Sequence, residues 1–269
     1  MPLPGGLIEH GERRRDFAFR PVSGALELAL AEAGEHASTM PRAVTRALSL
    51  SLERLAGGPA TPARVAALCV ADRQYLMREL DGHLGAGAGW LQGRCAGCGA
   101  RFDFRLDPAA LPVQEAGPGF PEAGVDVNGQ VLRFRLPTGA DQEELAERQD
   151  LDDEAATSWL LRRLACGPRP AGNAAEALAD AAHAVEAALE QVSPAIVLRV
   201  QAACPDCGAP CEVELDPYRV LARQADELLL EVHRIAWHYH WPEADILALP
   251  QARRHRYLQL IDRARGMAG

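Results

Sequence analysis

The sequence contains no lysine; all 28 of its basic side chains are arginine. That absence excludes Schiff-base lysine chemistry and a lysine-bearing phosphate loop, although coding bias is its plainest source. Long apolar runs are also missing. No stretch of about 18 apolar residues occurs, so no membrane span is expected. The start, Met1-Pro2-Leu3-Pro4-Gly5-Gly6, lacks a basic segment followed by an apolar one, and no signal peptide is expected there. Positive charge is not in excess: the formal net charge is -9 and the pI about 5.4. An acidic balance speaks against a nucleic-acid surface, which draws most of its affinity from a concentrated basic face. It leaves room for a local basic patch.

Catalytic signatures are missing as well. No Gly-x-Ser-x-Gly, Walker loop or dinucleotide fingerprint stands in a suitable setting. The glycines of Gly82–Gly93 have no lysine and no preceding strand, and read as a flexible lead. Glu143-Glu144 and Asp152-Asp153 read as a solvated helix surface. His233, His238 and His240 form no His-Glu-x-x-His pair and have no matched carboxylate, so they read as a polar, aromatic helix end. His233 or His240 would complete a mixed metal site only if the cysteine pairs described next failed to meet. The expectation is a non-enzymatic protein with no small-molecule substrate.

What is present is 269 residues, 48% of them apolar, enough for one or two cores. There are seven cysteines: Cys69, Cys95, Cys98, Cys166, Cys204, Cys207 and Cys211. An odd count without an export signal fits reduced thiols and metal binding better than a disulfide framework. The expected location is cytoplasmic.

A duplication is visible by eye. Residues 95–108 read CAGCGARFDFRLDP and residues 204–217 read CPDCGAPCEVELDP. They align without a gap, pairing Cys95 with Cys204, Cys98 with Cys207, and Leu106-Asp107-Pro108 with Leu215-Asp216-Pro217. Upstream, Phe19-Arg20-Pro21-Val22-Ser23-Gly24 matches Phe134-Arg135-Leu136-Pro137-Thr138-Gly139. Arg54-Leu55-Ala56 is set against Arg163-Leu164-Ala165. Each unit then runs from a short strand through helices to a Cys-x-x-Cys knuckle and a strand ending at Asp-Pro. Helices are expected over Ala43–Leu55, where Leu48, Leu52 and Leu55 keep i, i+4, i+7 spacing, and over Pro62–Leu80, Asp141–Leu164 and Ala174–Gln191. A strand is expected over Ile196–Gln201, and a short loop over Arg169–Asn173. Tyr218–Trp241 reads as one long amphipathic helix, followed by short helices to Pro250 and over Gln251–Arg265.

The fold class that follows is α+β and mainly helical. It comprises two tandem pseudo-symmetric repeats, each with a short β zinc-knuckle element, plus a C-terminal helical module. Residues 1–112 form the first repeat with Cys95 and Cys98. Residues 113–130, rich in Pro and Gly, form a linker. Residues 131–217 form the second repeat with Cys204 and Cys207, and residues 218–269 form the helical module.

A structural zinc site takes four soft ligands in a closed tetrahedron, and one Cys-x-x-Cys-Gly turn supplies two of them. Two knuckles brought together make a complete site from Cys95, Cys98, Cys204 and Cys207, with Zn2+ as a structural cofactor. The separation exceeds that of an ordinary zinc ribbon. Lengthening the closed loop from about 20 to about 105 residues costs only about 1.5 kcal/mol. Structural zinc contributes on the order of 10–16 kcal/mol in small peptides. The competing reading of each motif is a redox dithiol, which usually sits at a helix N-terminus, whereas both motifs here lead into strand-like segments. Cys211 aligns with Phe102 and is placed in a strand core. Cys69 and Cys166 fall on segments read as helical, as buried small groups.

Two of these stretches carry a resemblance to a known family. Asp72-Arg73-x-x-Leu76 ahead of a Cys-x-x-Cys, after a strand ending in a Ser/Thr-Gly turn, resembles the tail and baseplate assembly proteins of contractile phages and phage-tail-like contractile injection systems. Glu231–Trp241, then Ile246–Pro250 and Arg253-Arg254, is similar to small helical modules of those systems. The duplication departs from the usual single unit, and no catalytic residue is carried over. The resemblance implies a baseplate assembly component or chaperone, with other tail, baseplate or tape-measure proteins as partners. Trp237, Tyr239 and Trp241 would then anchor a partner by helix-in-groove contacts, or else fill an intramolecular core. The alternatives are a zinc-ribbon nucleic-acid-binding or transcription-associated protein, and a thiol oxidoreductase.

Overall fold

The computed structural model describes residues 2–85, 89–127, 130–167 and 181–266. It is a mixed α/β chain of helices and small sheets, with hydrophobic clusters in each part. Strands β1 (Leu7–Glu9) and β2 (Glu12–Arg14) form a hairpin, followed by β3 (Phe17–Phe19). Helix α1 (Gly24–Glu35) starts at Ser23, whose hydroxyl accepts the Leu26 N–H at 3.3 Å. Helix α2 (Met40–Ser51) runs directly into β4 (Leu52–Leu55), which pairs with β3 and with β5 (Gly58–Pro59). Helices α3 (Pro62–Ala67) and α4 (Val70–His83) lead to the hairpin of β6 (Gly89–Arg94) and β7 (Arg101–Leu106).

The chain continues through β8 (Val113–Gln114), β9 (Glu122–Val127) and β10 (Gln130–Arg135). Helices α5 (Gly139–Ala146) and α6 (Asp153–Leu164) follow, and α6 runs directly into β11 (Ala165–Cys166), which pairs with β10. Then come α7 (Ala182–Val192), β12 (Ala195–Ile196), and the hairpin of β13 (Arg199–Ala203) and β14 (Pro210–Glu214). A 3-10 turn at Arg219–Ala222 precedes α8 (Ala225–Tyr239), α9 (Glu243–Leu247) and α10 (Gln251–Ala264). Among the described residues, no helix is long and apolar enough to cross a membrane.

Several expectations are corrected. The segment 113–130 is not a bare linker, because β9 pairs with β10 along its length and β8 pairs with β12. Pro and Gly mark its turns, but Ala123 and Val125 are buried against the second core. The helix expected over Ala43–Leu55 ends at Ser51. Leu48, Leu52 and Leu55 are all fully buried as anticipated, yet Leu52 and Leu55 are buried from a strand. Pairing with Phe17–Phe19 supplies backbone partners that the helical period cannot reveal. For the same reason Arg54-Leu55-Ala56 does not correspond to Arg163-Leu164-Ala165. Arg54 and Leu55 lie in β4, whereas Arg163 and Leu164 end α6.

The spans Pro62–Leu80, Asp141–Leu164 and Tyr218–Trp241 each divide into separate elements. Helix α6 gains its own start because Asp152 accepts the Ala155 N–H at 2.8 Å. The loop expected at Arg169–Asn173, and the first part of the helix expected over Ala174–Gln191, lie outside the described residues. Cys166 sits in β11 rather than on a helix, while Cys69 is the buried residue before α4.

The Asp72-Arg73-x-x-Leu76 motif is a structural fastener. Asp72 accepts the N–H groups of Gly5 and Gly6 at 2.7 and 2.6 Å, fixing the N-terminal segment to α4. A Cβ on Gly5 would lie 2.5 Å from the Asp72 carboxylate, so no larger residue fits there. Buried Arg73 donates to the Thr45 hydroxyl and the Pro41 carbonyl, each at 2.7 Å, and ties α4 to α2. Leu76 is fully buried in the first core.

A second, separate fastener is Asp141 on α5. It receives two bonds from Arg135, at 2.5 and 2.8 Å, one from Arg163 at 2.5 Å, and the Thr138 N–H at 2.8 Å. Burial alone would raise its pKa. The hydrogen bonds from Arg135, Thr138 and Arg163 reverse this and hold the carboxyl well below the usual range. A carboxyl depressed in the folded state stabilises above its unfolded pKa of about 3.9, and that contribution is lost as pH falls through the folded value. Asp141→Asn should therefore cost about 2 kcal/mol at pH 7, with a gap to wild type that closes below about pH 4. Urea unfolding at pH 7 and at acid pH reads this directly; a gap independent of pH would contradict the assignment.

Candidate metal centre

The two knuckle turns have the same local construction. In the first, the Cys95 N–H bonds the Ala100 carbonyl and the Gly99 N–H bonds the Cys95 carbonyl, both at 2.9 Å. In the second, the Cys204 N–H bonds the Ala209 carbonyl and the Gly208 N–H bonds the Cys204 carbonyl, again at 2.9 Å. Gly99 and Gly208 have φ of 76° and 72°, a region that disfavours side chains. Each turn joins the strands of a hairpin, β6–β7 or β13–β14, rather than opening a helix.

The hairpins pack through their inner faces. Phe102, Cys95, Cys204 and Cys211 form a small core, with Ala100, Phe104, Ala202 and Ala209 around it. A Cβ on Gly93 would lie 2.7 Å from the Phe102 ring, so any larger residue there would have to displace that ring. This packing brings the sulfurs of Cys95, Cys98, Cys204 and Cys207 within 4.8 Å of one another. The Cys95–Cys207 sulfur separation is 3.6 Å and the Cys98–Cys204 separation is 3.7 Å. A tetrahedron with metal–sulfur bonds of about 2.3 Å has edges of about 3.8 Å. Both separations fit that edge and far exceed a disulfide bond of about 2.05 Å. Both pairs join different knuckles. All seven cysteines are free thiols. The four residues fit a bound metal ion such as zinc.

The thiols of the cluster are perturbed in opposite directions. Acting against burial, the backbone N–H of Cys98 pulls the Cys95 thiol down to about 6, helped by the Gly97 N–H and by Cys207. The Ala100 N–H favours the Cys98 thiolate, but the three neighbouring sulfurs outweigh it and push that thiol up to about 12. Without a cation, the neighbouring sulfurs therefore keep part of the cluster protonated. A divalent cation at the centre favours all four thiolates. Cys95 and Cys204 are buried, each 2% exposed, while Cys98 and Cys207 face solvent.

Cys211 lies in the same small core as its counterpart Phe102, outside the four-sulfur group. Its thiol bonds the Ala209 carbonyl at 3.5 Å. His233 and His240 do not join the cluster. His240 instead ends α8 in a left-handed conformation, with φ of 57°. The three aromatic residues expected as partner anchors divide. Tyr239 and Trp241 stack on each other at 5.2 Å, and both meet Tyr257 edge-on, inside the C-terminal cluster. Trp237 is 69% exposed on the opposite side of α8. Helical spacing alone did not separate these roles, because the partner ring, Tyr257, lies on another helix.

No protein-family model matches the chain, and searches of curated proteins and of solved structures return no significant match.

Proposed function

We propose that the chain is a non-catalytic assembly protein, duplicated in tandem, whose halves are clamped by one structural zinc ion. The observation that carries this reading is the meeting of four thiols, two from each hairpin, within 4.8 Å. Four protein ligands leave no open coordination position, which is the mark of a structural rather than a catalytic site. All-sulfur tetrahedral coordination suits zinc, with iron as the other common occupant. Such thiolates persist in a reducing compartment, in keeping with a cytoplasmic protein.

Element order supports the duplication beyond the knuckles. In one half, β3, α1, α2 and β4 run in sequence and β3 pairs with β4. In the other, β10, α5, α6 and β11 run in sequence and β10 pairs with β11. Both strand–helix junctions use a Ser/Thr-Gly step, at Ser23 and Thr138. Both hairpins end in an Asp turn, where Asp107 accepts the Ala109 N–H at 3.0 Å and Asp216 the Tyr218 N–H at 2.8 Å.

The assembly role in a contractile tail or baseplate rests on the sequence resemblance. The exposed side of α8 gives it a surface. Leu230, His233 and Trp237 lie at i, i+3 and i+7, and Leu230 is 60% exposed. This face suits a groove on a tail, baseplate or tape-measure protein, with Trp237 as anchor. Trp237→Ala should leave the melting temperature within about 2 °C of wild type, as expected for an exposed side chain. In cells that build contractile particles, the same substitution should reduce assembled baseplates seen by electron microscopy, as gene deletion should. Normal particles after deletion would remove the assembly reading.

A further inference from the structure

The outer faces of the two knuckle hairpins carry different chemistry on the same frame. In β6–β7, Trp90 stands opposite Arg105, Gln92 opposite Asp103, and Arg94 opposite Arg101. At the corresponding places in β13–β14, Arg199 stands opposite Glu214, Gln201 opposite Glu212, and Ala203 opposite Pro210. All twelve residues are exposed. The second face largely satisfies itself: Arg199 pairs with Glu212 at 3.4 Å, and Gln201 donates to Glu212 at 3.4 Å. The first does not. Among the described residues, none of Arg94, Arg101 and Arg105 forms an ion pair. Arg94 and Arg101 oppose each other directly, a like-charge pair that destabilises a hairpin. Trp90, 73% exposed, is the most exposed large apolar residue described.

We infer that the outer face of β6–β7 is a docking surface for an extended acidic protein segment with an apolar side chain to cover Trp90. Charge complementarity selects this occupant. Three unpaired guanidiniums on a chain of net charge -9 form a local positive site that an anionic partner would neutralise. Asp103 lies between Arg101 and Arg105 on the same face of β7 and interrupts the positive row. A continuous phosphate backbone would meet that carboxylate, whereas a peptide can place a polar or basic residue against it. Strands β6 and β7 pair only with each other among the described residues, so the hairpin keeps an open edge for an added strand. A strand laid along β7 sets alternate side chains beside Arg101, Asp103 and Arg105. The recognised pattern is therefore acidic, any, polar or basic, any, acidic. This deepens the assembly reading and rests on it only for the partner being a protein.

The test is fluorescence anisotropy of the full chain with two labelled probes at about 50 mM salt, where charge contacts are weakly screened. One probe is the peptide Leu-Ser-Glu-Ser-Gln-Ser-Glu-Ser and the other an oligothymidylate of similar length. The peptide should bind. Arg101→Gln and Arg105→Gln should each weaken it about tenfold, the effect of losing one close charge pair. Trp90→Ala should weaken it too, while Arg199→Gln on the other hairpin should not. Arg94→Gln should hold or raise the melting temperature, because it removes the opposed like charges. Preference for oligothymidylate, lost in the same arginine variants, would overturn the inference in favour of a nucleic-acid surface. No binding of either probe, equal loss in Arg199→Gln, or a marked fall in melting temperature for Arg94→Gln would also overturn it. None of these outcomes bears on metal content or on Trp237, so the assembly reading stands or falls separately.

Discussion

Cys95→Ser and Cys204→Ser should each strip the metal from the protein and destabilise it by about 4 kcal/mol or more, given the scale of structural zinc binding. The reason is geometric. The four ligands come in pairs from two hairpins, and the sulfur contacts of 3.6 Å between Cys95 and Cys207 and 3.7 Å between Cys98 and Cys204 each cross between hairpins. Removing one thiolate opens the site, and the remaining three no longer hold the hairpins against each other. The buried pair should matter most, because serine at Cys95 or Cys204 also places a hydroxyl in the small core around Phe102. Metal content per chain and denaturant unfolding in matched buffers read both effects. Loss of only half the metal from either variant would indicate two separate sites and contradict a shared ion. Cys211→Ser leaves the four-sulfur group intact and should retain the metal.

Arg254→Ala should be the costliest single change in the C-terminal module, at about 3–5 kcal/mol, the usual penalty for breaking one side of a buried ion pair. Arg254 is fully buried on α10. It reaches Glu27 of α1 at 2.7 Å, Glu231 of α8 at 3.1 Å and the Leu249 carbonyl at 2.8 Å. Three elements of the chain thus converge on one guanidinium. Alanine would leave the Glu27 carboxylate buried without its cation, and one of that carboxylate's oxygens already lacks a partner. Lysine should not restore the loss, because a single ammonium cannot reproduce the planar fork that spans both carboxylates. The readouts are urea unfolding and limited proteolysis, with faster cleavage near residues 223–225 as the module loosens from α1. A loss below about 1 kcal/mol would place Arg254 among surface-like ion pairs.

Much of the centre was legible because its signal is local. Cys-x-x-Cys-Gly specifies a turn by chemistry and φ alone, and its recurrence with Leu-Asp-Pro downstream identified the residues that meet. The helices were legible in position but not in their ends. Leu48, Leu52 and Leu55 kept a helical period while the chain changed to a strand after Ser51, since burial selects the apolar residues and β3 selects the conformation. The Pro- and Gly-rich stretch before β10 hid β9 for the same reason: its pairing partner is the strand that follows, not a pattern within itself. The Asp141 cluster was invisible as a site because Arg135, Thr138 and Arg163 are ordinary surface-type residues until folding gathers them around one carboxylate. The outer face of β6–β7 could have been found by comparing the two Cys-x-x-Cys segments position by position, which shows unpaired arginines in one and matched charges in the other.

The most direct measurement is metal analysis of the purified full chain, combined with X-ray absorption at the metal edge. One zinc per chain, with four sulfur neighbours at about 2.3 Å, is the predicted result. A metal-free folded protein, or a spectrum showing nitrogen or oxygen ligands in place of sulfur, would contradict the clamp between the two hairpins.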